Sequence, residues 1–139
     1  MSTVSEEITF NTKREGDIVD ITRYVQKAVS KSKLKDGMAC VFVPGATGAV
    51  TTIEYEPGLL SDLPDALDRL FPRDIPYQHQ MRWHDGNGHS HVRASFIGPS
   101  LTVPFREGGL ILGTWQQIVF LELDNSARQR RVIVQIVGD

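Results

Sequence analysis

The chain has 139 residues, enough for one domain that spans residues 1–139 and buries about two-thirds of its unfolded surface. Its 15 basic and 17 acidic residues leave a net charge of −2, which excludes a general attraction to nucleic acid or to an anionic membrane. No apolar run approaches the roughly 20 residues of a membrane-spanning helix, and the single cysteine, Cys40, can form no disulfide within the chain, so a cytoplasmic protein is expected.

The N-terminal part of the chain predicts a strand followed by a helix. The stretch EEITFNTK alternates enough to form a strand, and REGD then supplies a turn. In DITRYVQKAVSKSK the apolar side chains recur at helical spacing, with Asp20 placed to cap the N-terminus and Gly37 beyond the end. A helix is therefore predicted across this stretch.

Two more strands and a second helix are predicted in the middle of the chain. GMACVFVPG is a short apolar run bounded by glycine and Pro-Gly, which is typical of a strand buried on both faces. AVTTIEYE follows as a strand with β-branched residues. In LLSDLPDALDRLF the leucines recur at helical spacing, so a helix is predicted to end near Phe71, with Pro64 acceptable only in its first turn.

The remaining sequence predicts a loop and then mostly strands. Residues 72–90 are rich in Pro, Gly, His and Gln without a sustained period, which indicates a long functional loop. The later β-rich segments are joined by short turns, which favours antiparallel meander pairing. The predicted fold class is α+β, an antiparallel sheet or partly closed barrel flanked by two or three helices.

All four histidines fall within thirteen positions, from His79 to His91. If the segment NGHSHVRASFIGPS were a strand, His89 and His91 would point to one face, as in metal sites built on sheets. In a helix the two rings would diverge by about 200°. The helix is favoured because Asn87 is a good cap and Gly98-Pro99 a strong stop.

Three interpretations of the histidine cluster stay open on the residues alone. A helix N-terminus offers free backbone N–H groups to a phosphate, and imidazoles there can add donors or protons. A metal site is the second interpretation. The third is a polar surface loop without a ligand, since none of the histidine spacings matches a zinc-protease or zinc-finger pattern.

Other polar and aromatic residues allow a structural interpretation beside a functional one. Glu54 and Gln116 lie in segments expected to be half buried, so each is either a structural hydrogen-bonding group or a site residue. Trp115 is expected in the core or at a subunit interface. Two charged sets are interpreted as solvated surface, namely Asp62, Asp65 and Asp68 on a helix and Arg128, Arg130 and Arg131 at a strand edge.

Motifs in the last three-quarters of the chain resemble one protein family. They are NGHSHVRASFIGPSLTVPF and GGLILGTWQQIVFLELDNSARQRRVIVQIVGD, with VFVPGATGAVTTIEYEPGL and YQHQMRW upstream, and together they cover residues 38–139. They are similar to the YjbQ-like family, which is associated with secondary thiamine-phosphate synthase activity. The resemblance implies an α+β homotrimer with a polar, histidine-containing pocket near the subunit interfaces.

The resemblance also implies roles for individual residues. Three histidines match positions of the family pattern, namely His79, His89 and His91. The resemblance implies that they are catalytic groups in contact with a small phosphorylated metabolite, or ligands of a divalent ion such as Mg²⁺ or Zn²⁺. Four further residues are expected to support them, either by hydrogen bonding to the ligand or by contacting the residues that bind it. They are Asn87, Ser95, Gln116 and Glu54.

The activity implied is a transfer that joins hydroxymethylpyrimidine diphosphate to thiazole phosphate and releases diphosphate. The chain departs from the family pattern at Gly45, where a histidine is usual within a PHTT or PHTS stretch, and at Gln117, where a small residue is usual. The alternative function is therefore a protein of the same fold that binds a phosphorylated metabolite or a metal ion without turnover.

Overall fold

A computed structural model describes all 139 residues and contains eight strands and four helices. The strands are β1 Ser2–Asn11, β2 Ile18–Asp20, β3 Gly37–Phe42, β4 Gly48–Ile53, β5 Ser100–Arg106, β6 Gly109–Leu110, β7 Gln117–Glu122 and β8 Gln129–Gly138. The helices are α1 Thr22–Ser32, α2 Pro57–Leu70, α3 Gln78–Trp83 and α4 Gly88–Ile97. None of the helices combines the length and the apolar character that crossing a membrane requires.

The strands form a curled antiparallel half-barrel made of two sheets. One sheet has the order β1-β8-β3-β5-β6 and the other has the order β2-β7-β4. The predicted α+β class is confirmed, with four helices in place of the two or three expected. The predicted antiparallel pairing is confirmed, but the predicted meander holds only for β5 and β6, because the chain changes sheets between β6 and β7 and β8 inserts between β1 and β3.

The larger hydrophobic core lies between α1 and the five-stranded sheet. Alternate residues of β8, namely Val132, Val134 and Ile136, are fully buried, as expected of a strand with one face on the core. On α1 the side chains of Val25 and Val29 are fully buried at i, i+4 spacing. The helical period predicted for this segment is therefore confirmed.

The second core lies under α2 and α4, and α2 begins earlier than predicted. Pro57 is its first residue, and the Glu56 carboxylate caps it by accepting hydrogen bonds from the N–H groups of Gly58 and Leu59. Pro64 is consequently the eighth residue of the helix, so the expectation that it lies in the first turn is wrong. A proline there cannot donate to the carbonyl four residues before it.

The predicted loop over residues 72–90 contains α3 and the start of α4, so a loop throughout is wrong. None of the six residues of α3 is buried, so α3 left no apolar period in the sequence. The two helices meet closely at Gly88, where an added Cβ would lie 2.2 Å from Oε1 of Gln80 and 2.5 Å from Cβ of Tyr77. Only glycine allows this approach.

Candidate functional site

The candidate site is built on the first turn of α4, which runs from Gly88 as the sequence predicted. Asn87 occupies the N-cap position, but its side chain makes no capping hydrogen bond. Its Nδ2 instead donates to Oδ1 of Asp124 at 3.1 Å. The predicted side-chain cap is therefore wrong, and no side chain occupies the place of a cap on the first-turn N–H groups.

His91 and His79 lie against each other beside this turn. Their ring centroids are 4.4 Å apart with a 37° angle between the planes. Burial lowers the pKa of His91 below its ordinary 6.5, and the neighbouring His79 lowers it further, against the opposing pull of Asp85 and Asp124. The imidazole of His91 is therefore neutral at pH 7 in the free protein, and an anion bound beside it would favour its protonation.

His89 points away from this pair, as helical geometry predicts for residues two apart. Its side chain is fully buried, and its Nε2 lies 2.8 Å from Oε1 of Glu15. The other oxygen of Glu15 accepts a hydrogen bond from Arg73 at 3.0 Å. The structure thus brings two of the three proposed histidines together and holds the third in a separate hydrogen-bonded contact with Glu15.

The proposed metal ligands do not fit a metal centre within one chain. No group of three or more His, Cys, Asp or Glu side chains is placed so that it could hold a metal ion. His89 is committed through Nε2 to Glu15, and the adjacent imidazoles of His79 and His91 are only two donors. Structural and catalytic zinc sites use at least three protein ligands.

Buried polar atoms without a hydrogen-bond partner are concentrated between residues 79 and 90. They are Nδ1 of His79, Oε1 of Gln80, Oδ1 of Asn87, Nδ1 of His89 and Oγ of Ser90, and no other buried side-chain nitrogen or oxygen in the chain lacks a partner. Nδ1 of His79 lies 3.3 Å from Asp85 without hydrogen-bond alignment. Such groups are costly unless water, a ligand or another chain satisfies them.

A buried network of charges next to the site was not predicted. The carboxylates of Glu122 and Asp124 have no exposed surface. Burial favours the neutral form of Asp124, but hydrogen bonds from Asn87, from the N–H of Asn125 and from Arg128 outweigh it and lower the pKa of this carboxyl. The signal in the sequence was LELD, in which two carboxylates interrupt an apolar strand.

Glu122 is paired with Arg130, for which the sequence predicts an exposed strand edge. The Arg130 side chain is only 11 % exposed and donates to both carboxylate oxygens of Glu122. That interpretation is wrong for Arg130, because a buried carboxylate needs a countercharge. It holds for Arg131, which is exposed and reaches Glu7 at 3.4 Å.

The other predicted site residues lie on the surface. Ser95 is exposed, and its Oγ donates to the carbonyl of His91 at 2.8 Å. Gln116 is also exposed, with its amide bonded to Gly113 and Thr52, and it lines a groove with the β4 and β5 strands.

A second groove contains Glu54 with Tyr55 and Trp115. Neither this groove nor that of Gln116 includes a histidine. The half-buried environment expected for Glu54 and Gln116 is wrong, because both flank strand ends in exposed connections. Trp115 is 73 % exposed, so it is not a core residue of the single chain.

Comparison with known proteins places these features in a family context. The family model described as "UPF0047 protein YjbQ-like" matches residues 6–139. A UPF0047 protein of Archaeoglobus fulgidus is 40% identical over 129 residues, which cover 93% of this chain and 98% of the relative. A UPF0047 protein of Methanocaldococcus jannaschii is 37% identical over 129 residues, which cover 92% of this chain and 90% of the relative.

Solved structures show the same fold. A protein from Sulfolobus solfataricus, described as YbjQ-like and of unknown function, superposes with a TM-score of 0.94 at 34% identity, covering 99% of each chain. A YjbQ/UPF0047 family protein from Clostridium acetobutylicum gives a TM-score of 0.87 at 39% identity, covering 95% of this chain and 99% of the other. The resemblance found in the motifs is therefore confirmed along the whole chain.

Proposed function

The chain belongs to the UPF0047 family of YjbQ-like proteins, and from that membership we propose that it is a transferase of the thiamine-phosphate synthase type. The observation that carries the proposal is the concentration of unpartnered buried polar atoms around the first turn of α4, beside the His79–His91 pair. A small phosphorylated metabolite would satisfy these groups. The choice of reaction comes from the motif resemblance, and the choice of place comes from the geometry.

The proposed reaction requires binding and charge stabilisation more than proton transfer. The bond between the pyrimidine methylene carbon and the diphosphate oxygen breaks, and diphosphate leaves with the electron pair. The lone pair of the thiazole nitrogen forms the new carbon–nitrogen bond, and this nitrogen becomes positively charged without losing a proton. Holding two substrates together and stabilising the departing diphosphate are the main contributions a protein can make.

The residues at the start of α4 supply those contributions. The N–H groups of Gly88 and His89, which donate no backbone hydrogen bond, and the positive end of the helix dipole would stabilise the departing diphosphate. His91 is neutral in the free protein, so it would take up a proton as the anion binds and donate it to a phosphate oxygen. Because Nδ2 of Asn87 is engaged with Asp124, its free Oδ1 can accept a hydrogen bond from a ligand amino group.

The remaining residues named by the resemblance would act indirectly. Ser95 bonds the carbonyl of His91 and would steady that turn of α4. His89 would position the turn through Glu15. Gln116 and Glu54, in grooves without histidines, would reach the ligand only from a neighbouring chain. No step is assigned to a divalent ion, because the residues of one chain do not fit a metal centre.

The proposed assembly is the homotrimer that the resemblance implies. Several large apolar side chains are exposed in the single chain, and exposed apolar surface of this kind marks interfaces. They include Trp83, Phe96 and Trp115, at 61 %, 73 % and 73 % exposure. Sedimentation at micromolar concentration is expected to give three chains, and a monomer would contradict the proposal.

A second candidate function is binding of the same kind of metabolite without turnover. The observation that favours it is Gly45, which is exposed in the β3–β4 connection and supplies no side chain where the resemblance leads one to expect an imidazole. A proton carrier or ligand-binding group would then be missing while the α4 turn is intact.

The two candidates are separated by assaying the purified full-length protein with hydroxymethylpyrimidine diphosphate and thiazole phosphate. Diphosphate release and thiamine phosphate formation are measured for the wild type, for His91→Gln and for the control His84→Asn. The control changes a surface histidine in the left-handed conformation, which asparagine tolerates.

Turnover that is lost only in His91→Gln supports the transferase. Absence of turnover, together with saturable diphosphate binding that depends on His91, supports the binding protein. Absence of both would contradict the site itself.

A further inference from the structure

The β3–β4 connection lies against a guanidinium group that keeps unused donors, and we infer that the two together form a binding site for a phosphate-type oxyanion. We call Gly45–Thr47 with Arg130 the connection site. It is built from different residues than the α4 turn and does not depend on the transferase activity proposed above.

Arg130 is fixed in place by bonds that leave part of its guanidinium free. Nε donates to Oε1 of Glu122 at 2.8 Å, and Nη2 donates to the other oxygen of Glu122 and to Oγ1 of Thr47 at 3.0 Å. One face of the guanidinium lies over the ring of Phe120, with 5.5 Å between Cζ and the ring centroid. The group is therefore oriented before any ligand arrives, which lowers the entropic cost of binding.

The Nη1 atom of Arg130 is the free part. It makes no hydrogen bond within the chain, and it is not among the enclosed polar atoms, so it reaches solvent. Its two N–H groups belong to a cation that cannot lose its charge at physiological pH. A charge-assisted donor of this kind is suited to a phosphate oxygen.

Gly45 lies beside Nη1 of Arg130. A Cβ built on this residue would lie 3.7 Å from Nη1, which is ordinary van der Waals contact, and no other atom lies within 4 Å. The backbone of Gly45 is outside the left-handed region, so alanine is tolerated there. A longer side chain that starts from this Cβ can reach Nη1, and its chemistry would decide whether it blocks the donor or satisfies it.

The backbone of the same connection adds three more donors. The N–H groups of Gly45, Ala46 and Thr47 donate no backbone hydrogen bond, whereas those of Val43 and Val50 on either side donate to carbonyls of the α4–β5 connection. Successive free N–H groups in a bend are a recurrent anion-binding arrangement. The run of three begins at Gly45, the residue whose built Cβ would contact Nη1.

The charges around the connection site define the ligand class. Glu122 neutralises Arg130, and the neighbouring Asp124 is paired with Arg128, so no strong net positive charge is present. Binding then depends on the number of directed donors. A tetrahedral oxyanion with several acceptor oxygens can use both Nη1 and the bend, whereas a carboxylate offers only two oxygens.

The test uses a carboxylate tethered to the site. In Gly45→Glu the new side chain can reach Nη1 and occupy it, and Gly45→Gln is the neutral control of equal size. Inorganic phosphate is titrated into the intact protein, and the backbone amide resonances of residues 45–47 report on this site separately from the α4 turn. Acetate is titrated in parallel to separate a phosphate-type ligand from a carboxylate.

The expected result is saturable movement of these three amides with phosphate in the wild type and in Gly45→Ala. In Gly45→Glu the affinity for phosphate is expected to fall about 10-fold or more, since one charge-assisted hydrogen bond is pre-empted. Gly45→Glu is also expected to melt at a higher temperature than Gly45→Gln.

The inference is overturned if phosphate does not move the amides of residues 45–47. It is equally overturned if Gly45→Glu and Gly45→Gln bind phosphate alike, or if acetate binds as tightly as phosphate. Loss of turnover in the transferase assay would leave these three readouts unchanged.

Discussion

Replacing Arg130 with methionine is expected to destabilise the protein by about 3–5 kcal/mol, because it leaves Glu122 as a buried charge without its partner. Glu122 has no exposed surface and would keep only two hydrogen bonds, one from Oγ1 of Thr12 at 2.7 Å and one from the N–H of Asp124 at 3.1 Å. For a domain of this size, such a loss lowers Tm by roughly 10–20 °C.

Arg131 provides a matched control on the same strand. Arg131→Met removes an equal charge, but the side chain is exposed and its contact with Glu7 is 3.4 Å long, so the expected cost is below about 1 kcal/mol. Urea unfolding followed by circular dichroism compares the two variants. The double variant Arg130→Met with Glu122→Gln should regain part of the loss. Equal losses in the two single variants would refute the reasoning.

Three further predictions concern the α4 region. Gly88→Ala is expected to force α3 away from α4 and to lower the free energy of unfolding by about 1–3 kcal/mol. Gly109→Ala is the control, because its new Cβ would meet the nearest atom only at 3.6 Å. The two variants should therefore differ clearly in the midpoint of thermal unfolding. Because the pKa of His91 is lowered in the folded chain, the unfolded chain takes up the proton first, and stability should fall as the pH drops below about 6.5. The test is the free energy of unfolding measured from pH 7.5 to 5. If it changed with pH equally in His91→Gln and in the wild type, the prediction would be contradicted. Arg93→Met removes two hydrogen bonds to the carbonyl of Phe71, at the end of α2, and should lower the free energy of unfolding in urea by about 1–3 kcal/mol. Asp68→Asn changes the exposed partner of the same arginine and should lower it by less than about 1 kcal/mol.

Most of the elements that the sequence predicted have a sustained apolar period, whereas α4 was predicted from its start and stop signals. The helix around Val25 and Val29 and the strand around Val134 each bury one face on the core. Because the buried face must be apolar, apolar residues recur along these segments with the helical or strand period. The exposed α3 buries no residue and left no such signal. The sequence also did not predict which sheet each strand joins. Turn residues indicate that the chain reverses direction, but they do not indicate which strand it pairs with afterwards.

The candidate site was predictable in its helix and not in its partners. Helical geometry predicted that His89 and His91 would point apart, and they do. The contact of His89 with Glu15 joins residues 74 positions apart, so no local sequence pattern predicts it. The buried pair of Glu122 and Arg130 could have been inferred from a carboxylate within an apolar strand, since such a charge requires a partner.

The central claim is that the first turn of α4 binds a phosphorylated ligand with the help of His91. Calorimetric titration of inorganic diphosphate at pH 7, in buffers of different ionisation enthalpy, measures the binding and the protons taken up with it. We predict saturable binding with proton uptake in the wild type and in His84→Asn, and loss of that uptake in His91→Gln. Binding with the same proton uptake in all three proteins, or no binding in the wild type, would contradict the account.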